Sequence, residues 1–234
     1  MERISIEKKV LSENDRMAQS LRGRFEQGGV LVLNCISSPG SGKTSLLERT
    51  LEAFPRDMRV AVLTGDIQTD NDARRLARFG FPVRQITTAG ACHLDARMVE
   101  RAIEGWDPGQ LDLLIIENVG NLVCPTSYDL GEDAKVVILS VTEGDDKPLK
   151  YPGAFRKSSL MVLNKIDLLP HVSFDIDAAK ANARTIHPGL EILETSCVTG
   201  VGLEAWFGWI EHRLRAKTPA SNGPAEDLAH VAIP

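Results

Sequence analysis

Residues 30–47 read VLVLNCISSPGSGKTSLL, an apolar run of strand length that gives way to a glycine-punctuated loop and then to an amphipathic segment. Gly40, Gly42, Lys43 and Thr44 therefore fall between a strand and a helix. Glycines let successive backbone N–H groups turn toward one anion, and the helix N-terminus adds its positive end. Lys43 supplies a point charge to outer phosphates, and the Thr44 hydroxyl is a ligand for Mg²⁺. Contacts to a nucleotide are expected from Gly40, Ser41, Gly42, Lys43, Thr44 and Ser45. The strict pattern G-x-x-x-x-G-K-[ST] asks for glycine at position 37, where this chain has Ser37; serine fits if that position has no need of positive φ. A glycine-rich turn without a ligand is the plainer alternative, and the Lys-Thr pair behind a strand argues against it.

Outward from this loop, short apolar runs alternate with helix-length amphipathic segments. Seven strands are expected, at 30–36, 59–64, 83–87, 112–116, 135–141, 160–163 and 191–194. Strands apolar on both faces and separated by helices imply a mainly parallel sheet covered on each side, a three-layer α/β fold. Before it, Ile6, Val10, Met17, Leu21 and Phe25 recur at roughly helical spacing up to Gly28-Gly29, so residues 1–29 are expected to form an amphipathic helix packed on the domain. A closing helix at 203–217 carries Trp206, Phe207, Trp209, Ile210 and Leu214. The domain is thus expected over 30–217, with a disordered Pro/Ala-rich tail over 218–234.

The whole chain has 234 residues with 27 Lys+Arg against 32 Asp+Glu, a formal net charge of -5. That balance argues against a broad footprint for nucleic acid or an anionic membrane, so any anion must be gripped locally. No apolar run reaches the roughly 18 residues of a membrane span. The opening MERISIEKKVLSEN mixes charge into every turn, unlike a secretory signal, and a cytoplasmic protein is expected. The four cysteines, Cys35, Cys92, Cys124 and Cys197, are then free thiols.

LDLLIIENVG carries a carboxylate, Glu117, at the end of an apolar strand, with Gly120 three residues on. Such a position meets Mg²⁺ and the outer phosphate in doubly wound folds, and the Gly120 N–H can sense a γ-phosphate. Asp66 ends RVAVLTGD in the same way. Either carboxylate could instead cap a following helix, but beside a phosphate loop Mg²⁺ coordination is the better reading. LMVLNKID delivers Asn164, Lys165 and Asp167, matching the N-K-x-D element of GTPases. A carboxylate at 167 can accept both N1–H and the exocyclic amine of guanine, a pair adenine does not offer, while the Lys165 stem covers the ring. TSCVTG, with Ser196 and Cys197, resembles a loop whose backbone meets the guanine carbonyl.

TAGACHLDARMV places Cys92 and His93 side by side before a helix. Alone, the pair reads as packing plus a cap; Cys124, on the loop leaving the Glu117 strand, can reach the same end of the sheet. Two thiolates and an imidazole suit Zn²⁺ or Ni²⁺ and leave a coordination position open. Cys35, inside the first strand, reads as a buried small hydrophobe.

Taken together, SSPGSGKT, ACHLDARMV, ENVGNLVCP, EGDDKPLKYP and LNKIDLL make the chain resemble the hydrogenase nickel-incorporation GTPases, the HypB family of hydrogenase maturation factors, from about Val30 to Trp209. The Cys-His and ENVGNLVCP elements separate it from the urease accessory GTPases, whose metal motif is Cys-Pro-His. The resemblance implies a P-loop NTPase fold and slow GTP hydrolysis to GDP with Mg²⁺. It implies a GTP-promoted homodimer with Cys92, His93 and Cys124 as an interface metal site. It also implies nickel delivery to the large subunit of a nickel–iron hydrogenase, alongside a small zinc-containing nickel metallochaperone. Thr44, Asp66 and Glu117 would hold Mg²⁺, Asp72 or else Asp70 would position water, and the segments around Lys147 and Lys150 would sense the nucleotide. No arginine finger stands out, and the five histidines, His93, His171, His187, His212 and His230, are scattered rather than clustered for nickel storage.

Overall fold

The computed structural model describes residues 6–217; the tail expected over 218–234 lies outside them. In chain order the elements are α1 (Ile6–Gly28), β1 (Leu31–Ser37), α2 (Lys43–Ala53), β2 (Val60–Asp66), α3 (Asn71–Ala77), β3 (Val83–Thr87), α4 (Ala96–Ala102), β4 (Leu113–Gly120), β5 (Ala134–Ser140), α5 (Lys147–Lys150), α6 (Pro152–Arg156), β6 (Leu160–Asn164), α7 (Ile176–Ile186), β7 (Glu191–Thr195) and α8 (Leu203–Lys217). The strands form one seven-stranded sheet in the order β3-β2-β4-β1-β5-β6-β7, with every pair parallel. The chain winds from β1 to one edge, returns to β4 beside β1, and then builds the other half from β5. The C-terminal end of β1 is therefore the switch point, where such sheets open a crevice for ligands.

Alternation along the strands splits the core. Leu33 and Cys35 of β1 join Leu46, Leu51 and Trp206 on the face covered by α2 and α8. Val32 joins Leu21, Phe25, Val99 and Ile116 under α1 and α4, and Ile36 joins Val137, Leu139, Phe155 and Ala183 under α6 and α7. Every residue of β1 and β5 is buried, which is why both strands read as continuous apolar runs.

Six of the seven strands fall within two residues of the expected ends at each terminus. The exception is β4, which does not stop at 116 but runs through Glu117 to Gly120. Glu117 pairs in register with Cys35 on one side and Thr64 on the other. Two flanking strands override the low strand propensity of a carboxylate. The α1 stripe also differs: Val10 is 46% exposed, whereas Asn14, Ala18, Leu21 and Phe25 are buried. Burial begins where α1 meets α4 and the loop after β4, at Asn14.

Phe25→Ala should thus lower stability by about 3–5 kcal/mol, as for a fully buried aromatic, while Val10→Ala stays within about 0.5 kcal/mol. Urea unfolding midpoints with unchanged slope check the pair; equal effects would mean that α1 is not part of the core.

Candidate functional site

A cavity of about 510 Å³ opens at the switch point, lined by the 37–45 loop, Gly65, Asp66, Asp72, Arg75, Val119, Gly120 and Lys165. Gly40 and Gly42 hold φ of 77° and 92°. Ser37 is not among the positive-φ residues, and its Oγ donates to Ser38 O at 2.9 Å, so serine fits where the strict motif has glycine. The first turn of α2 holds no acidic residue, leaving its N–H groups and positive dipole end to an anion. Lys43 Nζ lies 3.0 Å from Glu117 Oε1, and Thr44 Oγ1 donates to the same oxygen at 2.6 Å. Glu117 is 1% exposed, and its Oε2 is buried with no hydrogen-bond partner.

Asp66 faces this cavity from the end of β2, and its Oδ1 also turns the chain by accepting from Gln68 N at 2.8 Å and Thr69 N at 2.6 Å. Burial pushes its pKa up, but these bonds and the Lys43 charge outweigh that and hold it below the usual carboxylate range. Of the two aspartates on and before α3, Asp72 lines the cavity, whereas Asp70 pairs with Arg74 on an exposed surface. Arg75, which the sequence did not single out, also lines the cavity. It donates to Glu48 at 2.6 Å and Ser45 Oγ at 3.2 Å, and weakly to Asp72 at 3.4 Å.

Asn164 ends β6 and Lys165 follows it, both tied to the phosphate loop, while Asp167 two residues on is tied to the 195–197 loop. Asn164 Nδ2 donates to Ser41 O at 3.0 Å, and Lys165, held at φ 63°, donates from Nζ to Gly40 O at 2.6 Å. Ser196 Oγ donates to Asp167 Oδ1 at 2.5 Å, and Thr195 Oγ1 donates to Asn164 Oδ1 at 3.2 Å. Cys197 donates to Asn164 Oδ1 at 3.6 Å, and burial pushes its thiol up to about 11, so it stays a neutral packing group. Lys147 and Lys150 pair with Glu143 and Asp146 and do not line the cavity.

On the neighbouring loops, ligand atoms of Cys92, His93 and Cys124 lie within 4.8 Å of one another. Cys92 Sγ is 3.9 Å from His93 Nδ1, and Asn121 Nδ2 donates to Cys124 Sγ at 3.5 Å. The His93 ring stacks on Tyr128 with centroids 3.8 Å apart and planes at 17°. Burial lowers the His93 pKa against a smaller opposing effect of Asp95, favouring the neutral imidazole that can ligate. The Cys124 thiol is raised first by its hydrogen bond with Cys92 and then by burial, the mark of two sulfurs facing each other. Cys35 stands apart, fully buried in the sheet, its thiol pushed up by burial to about 12.

Residues 31–194 match the family described as CobW/HypB/UreG, nucleotide-binding domain. The hydrogenase maturation factor HypB of Azotobacter vinelandii is 52% identical over 229 residues, covering 96% of this chain and 76% of that protein. The chain belongs to the HypB family of hydrogenase maturation factors. The crystal structure of hydrogenase maturation factor HypB from Archaeoglobus fulgidus superposes with TM-score 0.81 at 40% identity, over 87% of this chain and 99% of that one. That of HypB from Helicobacter pylori in complex with nickel gives 0.82 at 38% identity, over 90% and 99%. The fold is accordingly that of a P-loop nucleotide-binding domain.

Besides Arg75, two residues around the Cys92–His93–Cys124 cluster of this HypB-family chain were missed from sequence because their roles are tertiary. Tyr128 looks like an isolated aromatic but stacks on His93. Asn14 sits in the buried stripe of α1, where its Oδ1 accepts from Ala96 N and its Nδ2 donates to Asp129 O, both at 2.9 Å. It thus clamps the start of α4 to the loop that follows Cys124. A polar residue at a buried helix position was the available signal. Among the described residues no helix is long and apolar enough to cross a membrane.

Gly42→Ala should reduce nucleotide affinity by at least about tenfold. Its φ of 92° is strained for alanine, and a Cβ there would run into Asn164 Nδ2. Titration with a fluorescent guanine nucleotide checks it; unchanged affinity would mean the loop can relax away from Asn164.

Proposed function

We propose that this chain hydrolyses GTP and uses the nucleotide cycle to control a nickel- or zinc-binding site during hydrogenase maturation, acting as a cytoplasmic homodimer with Cys92, His93 and Cys124 at its interface. The observation that carries this reading is one strand end. β4 sets Glu117 against Lys43 and Thr44, continues to Gly120 at the cavity, and leads within four residues to Cys124.

The donor chemistry fits Mg²⁺: an orphaned buried carboxylate oxygen on Glu117 beside the Thr44 hydroxyl is what a hard divalent cation takes, with Asp66 at the cavity wall within reach through water. When bound, Mg²⁺ neutralises charge on the outer phosphates. The chain's own residues do the rest. The loop N–H groups and Lys43 hold the β- and γ-phosphates, and Asp72 orients water against the γ-phosphorus as its bond to the bridging oxygen breaks. Arg75, held by Glu48, borders the phosphates rather than pointing freely at them, consistent with slow turnover. Asp167 reads the guanine edge with Ser196 fixing its carboxylate.

Metal is cargo in this scheme. Two thiolates and one imidazole leave a fourth position through which it can be handed to the hydrogenase large subunit or received from a small metallochaperone. Ordering of the Glu117-to-Cys124 connection around a γ-phosphate would move one ligand and shift metal affinity with nucleotide state.

Phosphate release with Mg²⁺ and GTP, exceeding that with ATP, is expected; none at stoichiometric sensitivity would favour a storage protein with structural nucleotide. Asp167→Asn should weaken GTP binding by on the order of a few kcal/mol and shift preference toward xanthosine triphosphate, as read by competition binding. Cys92→Ala, His93→Ala and Cys124→Ala should each lower Ni²⁺ and Zn²⁺ affinity while GTP affinity of the monomer holds. Full metal binding by Cys124→Ala would reduce the site to the adjacent Cys-His pair.

A further inference from the structure

The face of the sheet opposite the phosphate loop carries a seam of polar side chains where apolar ones would pack more cheaply. Asn34, Asn118 and Lys135 are all buried, and Lys135 pairs with the equally buried Glu132 at 3.2 Å. The seam runs between two apolar clusters, that of Val32 and Ile116 and that of Ile36 and Val137. Buried ionic and amide groups are a poor source of stability, since well-packed hydrophobic residues commonly replace them at no loss. What the seam connects gives a better account of it.

Asn118 Nδ2 donates to Asn34 Oδ1 at 3.2 Å, and Asn34 Nδ2 donates to Glu132 Oε1 at 3.1 Å. Glu132 holds Lys135, whose Nζ donates to Pro125 O and Tyr128 O, each at 3.3 Å. Those two carbonyls sit on the turn that begins at Cys124 and carries the ring under His93. At the other end, Asn118 Oδ1 accepts from Leu94 N at 3.2 Å, next to His93. The Leu94 side chain is itself seated on the bare backbone of Gly65, where a Cβ would come within 2.8 Å of it. Both ligand-bearing loops therefore hang on one buried chain of hydrogen bonds. Its centre, Asn118, is the neighbour of Glu117. Side chains alternate across a strand, so β4 turns Glu117 to the nucleotide and Asn118 to the metal loops.

We propose that Asn118, acting through Asn34, Glu132 and Lys135, is the positioning residue that converts movement of β4 at the nucleotide into a change in the spacing of His93 and Cys124. The proposal rests on the nucleotide-controlled metal site above and names the residues that would couple it. A displacement at Glu117 that follows the γ-phosphate shifts Asn118 with it. Leu94 N then moves directly, while Pro125 and Tyr128 move through Lys135. The backbone path from Gly120 to Cys124 reaches only one ligand, whereas this seam reaches both loops.

Co²⁺ is the probe, because thiolate-to-metal charge-transfer bands report its coordination geometry and its affinity can be titrated in full-length protein. With GDP and with a non-hydrolysable GTP analogue, the unmodified protein is expected to give distinct bands and affinities differing by roughly 5–150-fold, the usual range for coupled sites. Asn118→Leu should still bind Co²⁺ and both nucleotides, but with superimposed bands and affinities within about twofold of each other. Lys135→Met should reduce the difference, and adding it to Asn118→Leu should reduce it no further, as for two members of one unit. Should Asn118→Leu fail to fold, Asn34→Ser, which cuts the seam with a smaller change, is expected to collapse the difference in its place. A folded Asn118→Leu or Asn34→Ser that keeps the full nucleotide dependence would overturn the seam and leave the switch standing. Equal Co²⁺ affinity in both states of the unmodified protein would instead overturn the switch itself, and the seam's role with it.

Discussion

A carboxylate buried in the middle of a parallel sheet is an expensive object, and this structure is organised around one. Glu117 is 1% exposed, flanked by strands on both sides, and satisfied through a single oxygen by Lys43 and Thr44. Without that lysine the charge would be uncompensated, a loss on the order of 3–5 kcal/mol. The strand order that places β4 beside β1 is therefore what makes the carboxylate tolerable, and it also brings the carboxylate to the phosphate loop. Its other oxygen is left unpartnered, so part of the cost stays uncompensated beside Lys43 and Thr44.

The metal loops depend on a different set of contacts. They are irregular segments after β3 and β4, and Ala89 before Cys92 holds φ of 50°, a conformation alanine avoids. Such loops keep a geometry only when held from several sides. Asn14 of α1 holds them from outside, and Asp95 caps α4 by accepting from Met98 N at 2.7 Å. The Arg22–Asp129 pair, 2.7 Å apart but more than a third exposed on each side, adds little energy by comparison. The first helix thus holds the loops of Cys92, His93 and Cys124 in place as much as it covers the core.

With a net charge of -5, the chain offers anions no broad positive field, and the groups it presents to an anion at the cavity are local: loop N–H groups, a helix terminus and one lysine. Asp167 and the 195–197 loop are fastened to each other and to the phosphate loop through Asn164, so motifs more than a hundred residues apart are held together at one end of the sheet.

The sequence by itself determined the parallel α/β class, six strands nearly to their ends, and the short motifs that the structure gathers around the cavity. These are properties of local periodicity and of short contiguous motifs such as GSGKT and NKID, which carry their chemistry within a few residues. It also suggested that Cys92, His93 and Cys124 could meet, from their ligand chemistry and from the place of Cys124 on the loop leaving the Glu117 strand. Tertiary structure decided what contiguous reading cannot carry. β4 extends through Glu117 because two neighbours supply its ladder bonds, and Val10 is exposed because the surface that covers α1 starts at Asn14. Asp72 rather than Asp70 lines the cavity, since Asp70 is drawn into an exposed pair with Arg74. Arg75, Tyr128 and Asn14 have no motif, and Asn118 sits in ENVGNLVCP without a role that the motif itself names; each gained its role from partners 3 to 115 positions away. Burial and hydrogen-bond partnership across the sheet are set by packing, and packing is a property of the whole chain rather than of any stretch of it.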